Sequence, residues 1–116
     1  MWRANPKSDH LGGGFHRYAT DAEWFLPHFE KMLYDNAQLA GLYARAFHAT
    51  GREDSRRVAT GVGDWVLRAL RHPDGGFYSA RDADTSAGEG VYYLWTRDEV
   101  LRILGPDDGP AFADLF

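Results

Sequence analysis

Three consecutive glycines, Gly12-Gly13-Gly14, precede Phe15-His16-Arg17-Tyr18, and the chain then runs into Pro27-His28-Phe29-Glu30-Lys31-Met32-Leu33-Tyr34-Asp35-Asn36-Ala37-Gln38-Leu39. Glycine reaches backbone conformations closed to other residues, so the triplet marks a loop. The second run crowds His, Glu, Lys, Tyr, Asp and Gln into one segment with helical apolar spacing. A helix wholly inside a core has no need of that chemistry. A helix whose start meets a polar pocket does.

The length, 116 residues, suits one small domain. Hydrophobic residues at 44% and charged residues at 26% are globular values. A net charge of -4 with scattered arginines excludes the basic stripe of a nucleic-acid binder. The absence of cysteine removes disulfides, thiolate nucleophiles and cysteine metal ligands from this chain. No apolar run approaches the roughly 18 residues of a membrane helix. Met1-Trp2-Arg3-Ala4-Asn5-Pro6 lacks the apolar stretch of a secretory leader, so the cytoplasm is the expected compartment.

Residues 1–21 read as loop, with Asp21 capping a short turn through Glu23-Trp24-Phe25-Leu26. Pro27 suits the first turn of a helix expected to reach Ala49, with Gly51 as its stop. At 100° per residue, Phe29, Met32, Leu33, Ala40, Tyr43 and Phe47 share one face, opposite His28, Lys31, Tyr34, Asp35 and Gln38. A second, amphipathic helix is expected over Glu53–Arg71, with Val58, Val62, Trp65, Val66, Ala69 and Leu70 on its apolar stripe. His72-Pro73-Asp74-Gly75-Gly76 ends it in a turn. Phe77–Ala80 and Val91–Trp95 read as strands of a long-looped β-hairpin around the polar residues 81–90. Thr96-Arg97-Asp98-Glu99 is a capping box for a short helix that Gly105-Pro106 closes. Another amphipathic turn starts at Ala111, and the sequence stops inside it, which reads as a cut in a longer chain.

The glycine-rich run 12–18, the segment 27–37, and the stretch Gly75-Gly76-Phe77-Tyr78-Ser79-Ala80 through Asp82-Ala83-Asp84 to Glu89-Gly90-Val91-Tyr92-Tyr93-Leu94-Trp95-Thr96 together resemble the thioredoxin-domain-containing proteins of the spermatogenesis-associated protein 20 type. The resemblance spans roughly residues 11–104. It implies a mainly α fold, part of an (α/α)6 toroid of the six-hairpin-glycosidase type with a short β-hairpin. It also implies likeness to N-acylglucosamine 2-epimerases. Residues 1–116 would be a fragment of that one domain, without the family's N-terminal thioredoxin-like domain. The first helix would be an inner helix of the ring and the second an outer one.

In such a ring the loops entering inner helices surround a pocket. The resemblance therefore points to His28, Glu30, Asp35 and His16 as candidate catalytic residues. Lys31, Tyr34, Arg17, Asp82, Asp84 and Glu89 become candidate substrate-binding residues. Glycoside hydrolysis needs two carboxyls roughly 5–10 Å apart, which Glu30 or Asp35 would supply with Asp82, Asp84 or Glu89. Sugar epimerisation moves a proton at carbon, a task for His16 and His28. The plain alternative for Lys31 and Asp35 is an i,i+4 salt bridge. Asp82-Ala83-Asp84-Thr85-Ser86 fails the calcium-loop pattern, because Ala87 stands where glycine is required and Tyr93 where the closing Glu belongs. No metal and no cofactor is expected. The expected partners are a carbohydrate ligand, the rest of the toroid and the thioredoxin-like domain, with neither nucleic acid nor membrane. Two functions stay open: a sugar isomerase-, epimerase- or glycosidase-like enzyme in full-length form, and a non-catalytic binding or redox-associated module inactive as an isolated fragment.

Overall fold

A computed structural model describes residues 7–115. The loop reading of residues 1–6 and the place of Phe116 in the last turn lie outside the described residues. The described part is mainly helical with small antiparallel strand pairs. It falls into two compact units, divided between Ala83 and Asp84.

The first unit is built on a helical hairpin. Helix α1 spans Leu33–Thr50 and α2 spans Glu53–Ala69, and the two pack against each other. Gly51, at φ 68°, ends α1 in the left-handed conformation, and its N–H donates to the Phe47 carbonyl at 2.7 Å. Glu53 and Asp54 open α2, where negative charge meets the positive end of the helix dipole. The sequence placed this second helix within two residues.

The first helix starts six residues later than Pro27, and the reason lies in competing partners. Residues 17–30 fold back on themselves as a short arm. Arg17 N–H donates to Glu30 O at 2.8 Å, His28 N–H to Tyr18 O at 2.7 Å, and Thr20 N–H to Leu26 O at 2.8 Å. Strand β1, Lys31–Met32, then pairs antiparallel with β2, Ala80–Arg81, and Leu33 N–H donates to Ser79 O at 2.9 Å. Backbone groups that a helix would have satisfied internally are satisfied across the chain instead. His28, Glu30 and Lys31 therefore sit ahead of the helix, and the arc expected to join His28 and Lys31 to Tyr34, Asp35 and Gln38 does not form.

The expected hairpin of Phe77–Ala80 with Val91–Trp95 does not form either. Tyr78 N–H donates to Leu70 O at 2.7 Å, Phe77 bridges to Arg71, and Ala80–Arg81 is taken by β1. In the second unit β3, Asp84–Thr85, pairs with β4, Gly88–Glu89, and Val91–Tyr93 forms one turn of 3-10 helix. Thr85 ties this tight turn, its hydroxyl donating to Gly88 O at 3.0 Å. Helix α3 covers Arg97–Leu115 and is broken at Gly105, φ 76° and ψ −175°, ahead of Pro106. The capping box at its start is formed: Glu99 accepts from Thr96 N–H at 2.8 Å, and Thr96 Oγ accepts from Glu99 N–H at 3.3 Å.

The buried apolar residues among those described are Phe15, Val62, Trp65, Leu70 and Ala83. Trp65 lies in the core, as its place on the α2 stripe implies. The glycine-rich loop crosses its indole so closely that a Cβ on Gly14 would stand 2.6 Å from a ring carbon, and Gly14 has φ 76°. Gly14→Ala should destabilise the chain by about 2–4 kcal/mol, through overpacking and a left-handed alanine. Gly61→Ala, on a helix with open space around the added methyl, should stabilise it by about 0.5–1 kcal/mol. Urea unfolding followed by near-ultraviolet circular dichroism checks both signs.

Candidate functional site

The site residues divide into a buried clamp and a cluster in which exposed Arg17, Tyr18 and Tyr34 surround half-buried His28 and Glu30. The clamp is centred on Lys31, whose side chain is 1% exposed. Its ammonium donates to Asp9 Oδ2 at 2.6 Å and to the Gly13 carbonyl at 2.7 Å, and stands 5.2 Å from the Trp65 ring centre. The other Asp9 oxygen accepts from the N–H groups of Leu11, at 3.0 Å, and Gly12, at 2.7 Å. Burial works against ionisation of Asp9, but Lys31 and these backbone donors outweigh it and hold the carboxyl below its ordinary value. Burial likewise lowers Lys31 against the pull of Asp9. The pairing with Asp9 corrects the expected Lys31–Asp35 salt bridge: on β1, Lys31 does not share a helix face with Asp35.

Two more side chains fix the same loop. Asn36, 0% exposed, accepts from Phe15 N–H at 2.7 Å and donates to Phe15 O at 3.0 Å and Met32 O at 2.8 Å. His16, 4% exposed, donates through Nδ1 to Phe29 O at 3.0 Å and sets its ring edge-on to Phe29. Burial, with Lys31 and His28 adding to it, pushes the imidazole below its usual range despite that hydrogen bond and Asp9. Asp9 and Asn36 were not among the residues the sequence singled out. Asn36 sat inside the quoted motif, and Asp9 stands three residues before the glycines, the spacing of a carboxylate that accepts from loop N–H groups.

This second cluster lies on the arm and at its exit into α1. Arg17 and Glu30 form an ion pair at 3.0 Å, and His28 Nδ1 is 3.8 Å from the same Glu30 oxygen. Tyr18 stacks on His28 with ring centres 5.0 Å apart, and the Arg17 guanidinium lies 5.8 Å from the Tyr18 ring centre. Glu30, with Tyr34 behind it, holds the Arg17 guanidinium firmly protonated. Arg17, Tyr18, His28, Glu30 and Tyr34 are thus brought together. Asp35 sits in the first turn of α1, and Asp82 follows β2. Asp84 and Glu89 face each other across the β3–β4 register, so they line a tight turn and not an open loop. Among the described residues no group of three or more His, Asp or Glu is placed to hold a metal ion, and no helix is long and apolar enough to cross a membrane.

These features define a helical hairpin carrying a clamped glycine-rich loop and a short arm with a polar and aromatic cluster. No protein-family model matches the chain. Curated relatives do. The chain is 53% identical over 102 residues to spermatogenesis-associated protein 20 of Homo sapiens, a match covering 83% of this chain and 13% of that protein. It is 50% identical over 113 residues to the protein of the same name from Rattus norvegicus, covering 92% of this chain and 14% of the relative. An uncharacterized protein of Caenorhabditis elegans is 39% identical over 117 residues, covering 93% of this chain and 16% of that protein. The chain therefore has homologues named spermatogenesis-associated protein 20, and spans about one seventh of their length.

Asp9→Asn removes the counter-ion of a buried ammonium and should cost about 3–5 kcal/mol in urea unfolding. Glu30→Gln, at a more exposed pair, should cost less than about 1 kcal/mol. Acid should act in two steps. His16 binds its proton more weakly folded than unfolded, so stability present above pH 6.5, the ordinary imidazole value, falls once the pH drops below it. Asp9 is also lowered, so its contribution, present above its ordinary 3.8, is lost as the pH falls further. His16→Gln should remove the first step and leave the second.

Proposed function

We propose that this chain is a segment of a carbohydrate-related helical domain, and that its contribution to ligand binding is the group Arg17, Tyr18, His28 and Glu30. The observation that carries this reading is one carboxylate set between a guanidinium and an imidazole, beside an exposed tyrosine ring. Aromatic faces take the apolar faces of sugar rings, and paired polar groups orient their hydroxyls. Tyr34 extends the group, and Asp35 and Asp82, in the same compact unit, remain candidates for a second carboxyl. The domain in this reading is the (α/α)6 ring implied by the resemblance, with the rest of the ring and a thioredoxin-like domain as partners, in the cytoplasm.

Within that domain the chain fits a binding role better than a catalytic one. Lys31 and His16, two of the groups able to move protons, are committed to holding the loop. Glu30 is engaged by Arg17. His28 Nδ1 stands 3.8 Å from that same carboxylate, outside direct hydrogen-bond reach. Calorimetry with a panel of neutral sugars on a full-length homologue tests the reading, with the residues aligned with His28 and Glu30 each changed to Ala. Affinity should fall at least tenfold in both variants while their circular dichroism is unchanged. If no sugar binds, or both folded variants bind as before, the carbohydrate reading is wrong.

A further inference from the structure

Asp74-Gly75 lies in the turn between α2 and β2. The Asp74 side chain is 92% exposed. Gly75 has φ 99° and Gly76 φ 75°, and a Cβ built on either would meet nothing within 4 Å. His72 secures both amides of the pair. Its carbonyl accepts from Gly75 N–H at 3.1 Å, and its Nδ1 accepts from Asp74 N–H at 3.1 Å. His72 N–H in turn donates to Gly76 O at 3.0 Å.

We propose that Asp74 is a site of spontaneous isoaspartate formation, through a cyclic imide closed by the Gly75 nitrogen. Glycine has no Cβ to crowd the approach of that nitrogen to the Asp74 carboxyl carbon. In the first step the nitrogen attacks this carbon in the protonated carboxyl group. A C–N bond forms, the C–OH bond breaks, and the N–H proton leaves with the hydroxyl as water. In the second step water adds to one of the two imide carbonyls and a C–N bond breaks. Addition at the side-chain carbonyl restores aspartate. Addition at the main-chain carbonyl leaves the backbone running through the Asp74 Cβ, with a free α-carboxylate. Water is the only co-reactant, and the mass is unchanged. Freeing the nitrogen requires opening the Gly75–His72 hydrogen bond, and exposed turns open locally at small cost in free energy.

A second Asp-Gly pair, Asp108-Gly109, supplies an internal comparison. It lies within α3 on helical backbone, with Gly109 buried against Leu101. Ring closure there would need a rotation that the helix resists. At Asp74 the extra backbone atom would enter just ahead of the Tyr78–Leu70 hydrogen bond and of β2, whose pairing holds β1 and Lys31. The inference is independent of the sugar reading.

Incubation of the chain at neutral pH and physiological temperature tests it. Isoaspartate is read by methyl transfer from labelled S-adenosylmethionine with an isoaspartyl-specific methyltransferase, and located by electron-transfer fragmentation of peptides. Near-ultraviolet circular dichroism reports that the chain stays folded. Isoaspartate should accumulate about tenfold or more faster at Asp74 than at Asp108. Asp74→Glu should abolish the signal there, because glutamate would have to close a larger ring. If the isolated chain loses its near-ultraviolet signal, the measurement is made with the chain grafted into spermatogenesis-associated protein 20 in place of the matching segment, and the same preference is expected. Absence of isoaspartate at Asp74 in the folded protein overturns the proposal. So does equal accumulation at Asp108, or accumulation at Asp74 only in urea, which would make it a property of the unfolded chain.

Discussion

A lysine ammonium buried against a carboxylate is the contact on which the first unit depends. Taking Lys31 out of water is costly, and its attraction to Asp9 offsets that cost only with good geometry and further hydrogen bonds. Both are present, in the 2.6 Å contact with Asp9 and the second bond to Gly13. The consequence runs in two directions. Asp9 is drawn down onto the start of the glycine-rich loop, and β1 is held extended at the point where α1 would otherwise have begun. The indole of Trp65 closes the remaining side and lets Gly14 pass with no room for a side chain.

This division of labour explains why neighbours in the sequence take opposite roles. Phe29, Glu30 and Lys31 alternate along extended backbone, so adjacent side chains point to opposite faces. Lys31 enters the clamp, while Glu30 stays with Arg17 and His28 on the arm. His16 and Arg17 divide in the same way, the first donating to Phe29 O and the second reaching Glu30. One short extended stretch thereby supplies both a rigid support and an accessible polar group. Ligand-orienting groups work best when their backing is fixed in this manner.

Much of the helical part was legible in the sequence. The apolar stripe of α2, the left-handed Gly51 stop and the Thr96–Glu99 box are local signals, and local physics decides them. Residues 27–32 were misread because their apolar spacing fits a helix as well as it fits an extended segment, and Pro27 suits a helical first turn. What overrides that preference is pairing with residues 17–20 and 79–81, which no short window of sequence contains. The same limit applies to Phe77–Ala80, read as one strand: Phe77 makes only an isolated bridge to Arg71, and Ala80 alone enters β2, whose partner β1 is distant in sequence. Of the candidate site, Arg17, His28, Glu30 and Tyr34 were singled out and do come together. Lys31 was singled out for substrate binding and His16 for catalysis, and their burial gives both a holding role. Asp9 and Asn36 became visible only once the loop they hold was seen to cross α2.

The long reach of the glycine-rich loop bears on how such a chain is made. Arg68 hydrogen-bonds the Gly12 carbonyl from 56 positions away, and Gly14 rests on Trp65. Contacts of that separation form late, after the local helical hairpin. During synthesis the loop and Lys31 leave the ribosome well before α2 exists to receive them, and at about 5–20 residues per second that interval lasts seconds. Throughout it Lys31 remains a hydrated surface charge. Its burial waits on the emergence of Trp65 and Arg68, and β2 follows them to pair with the strand that carries it.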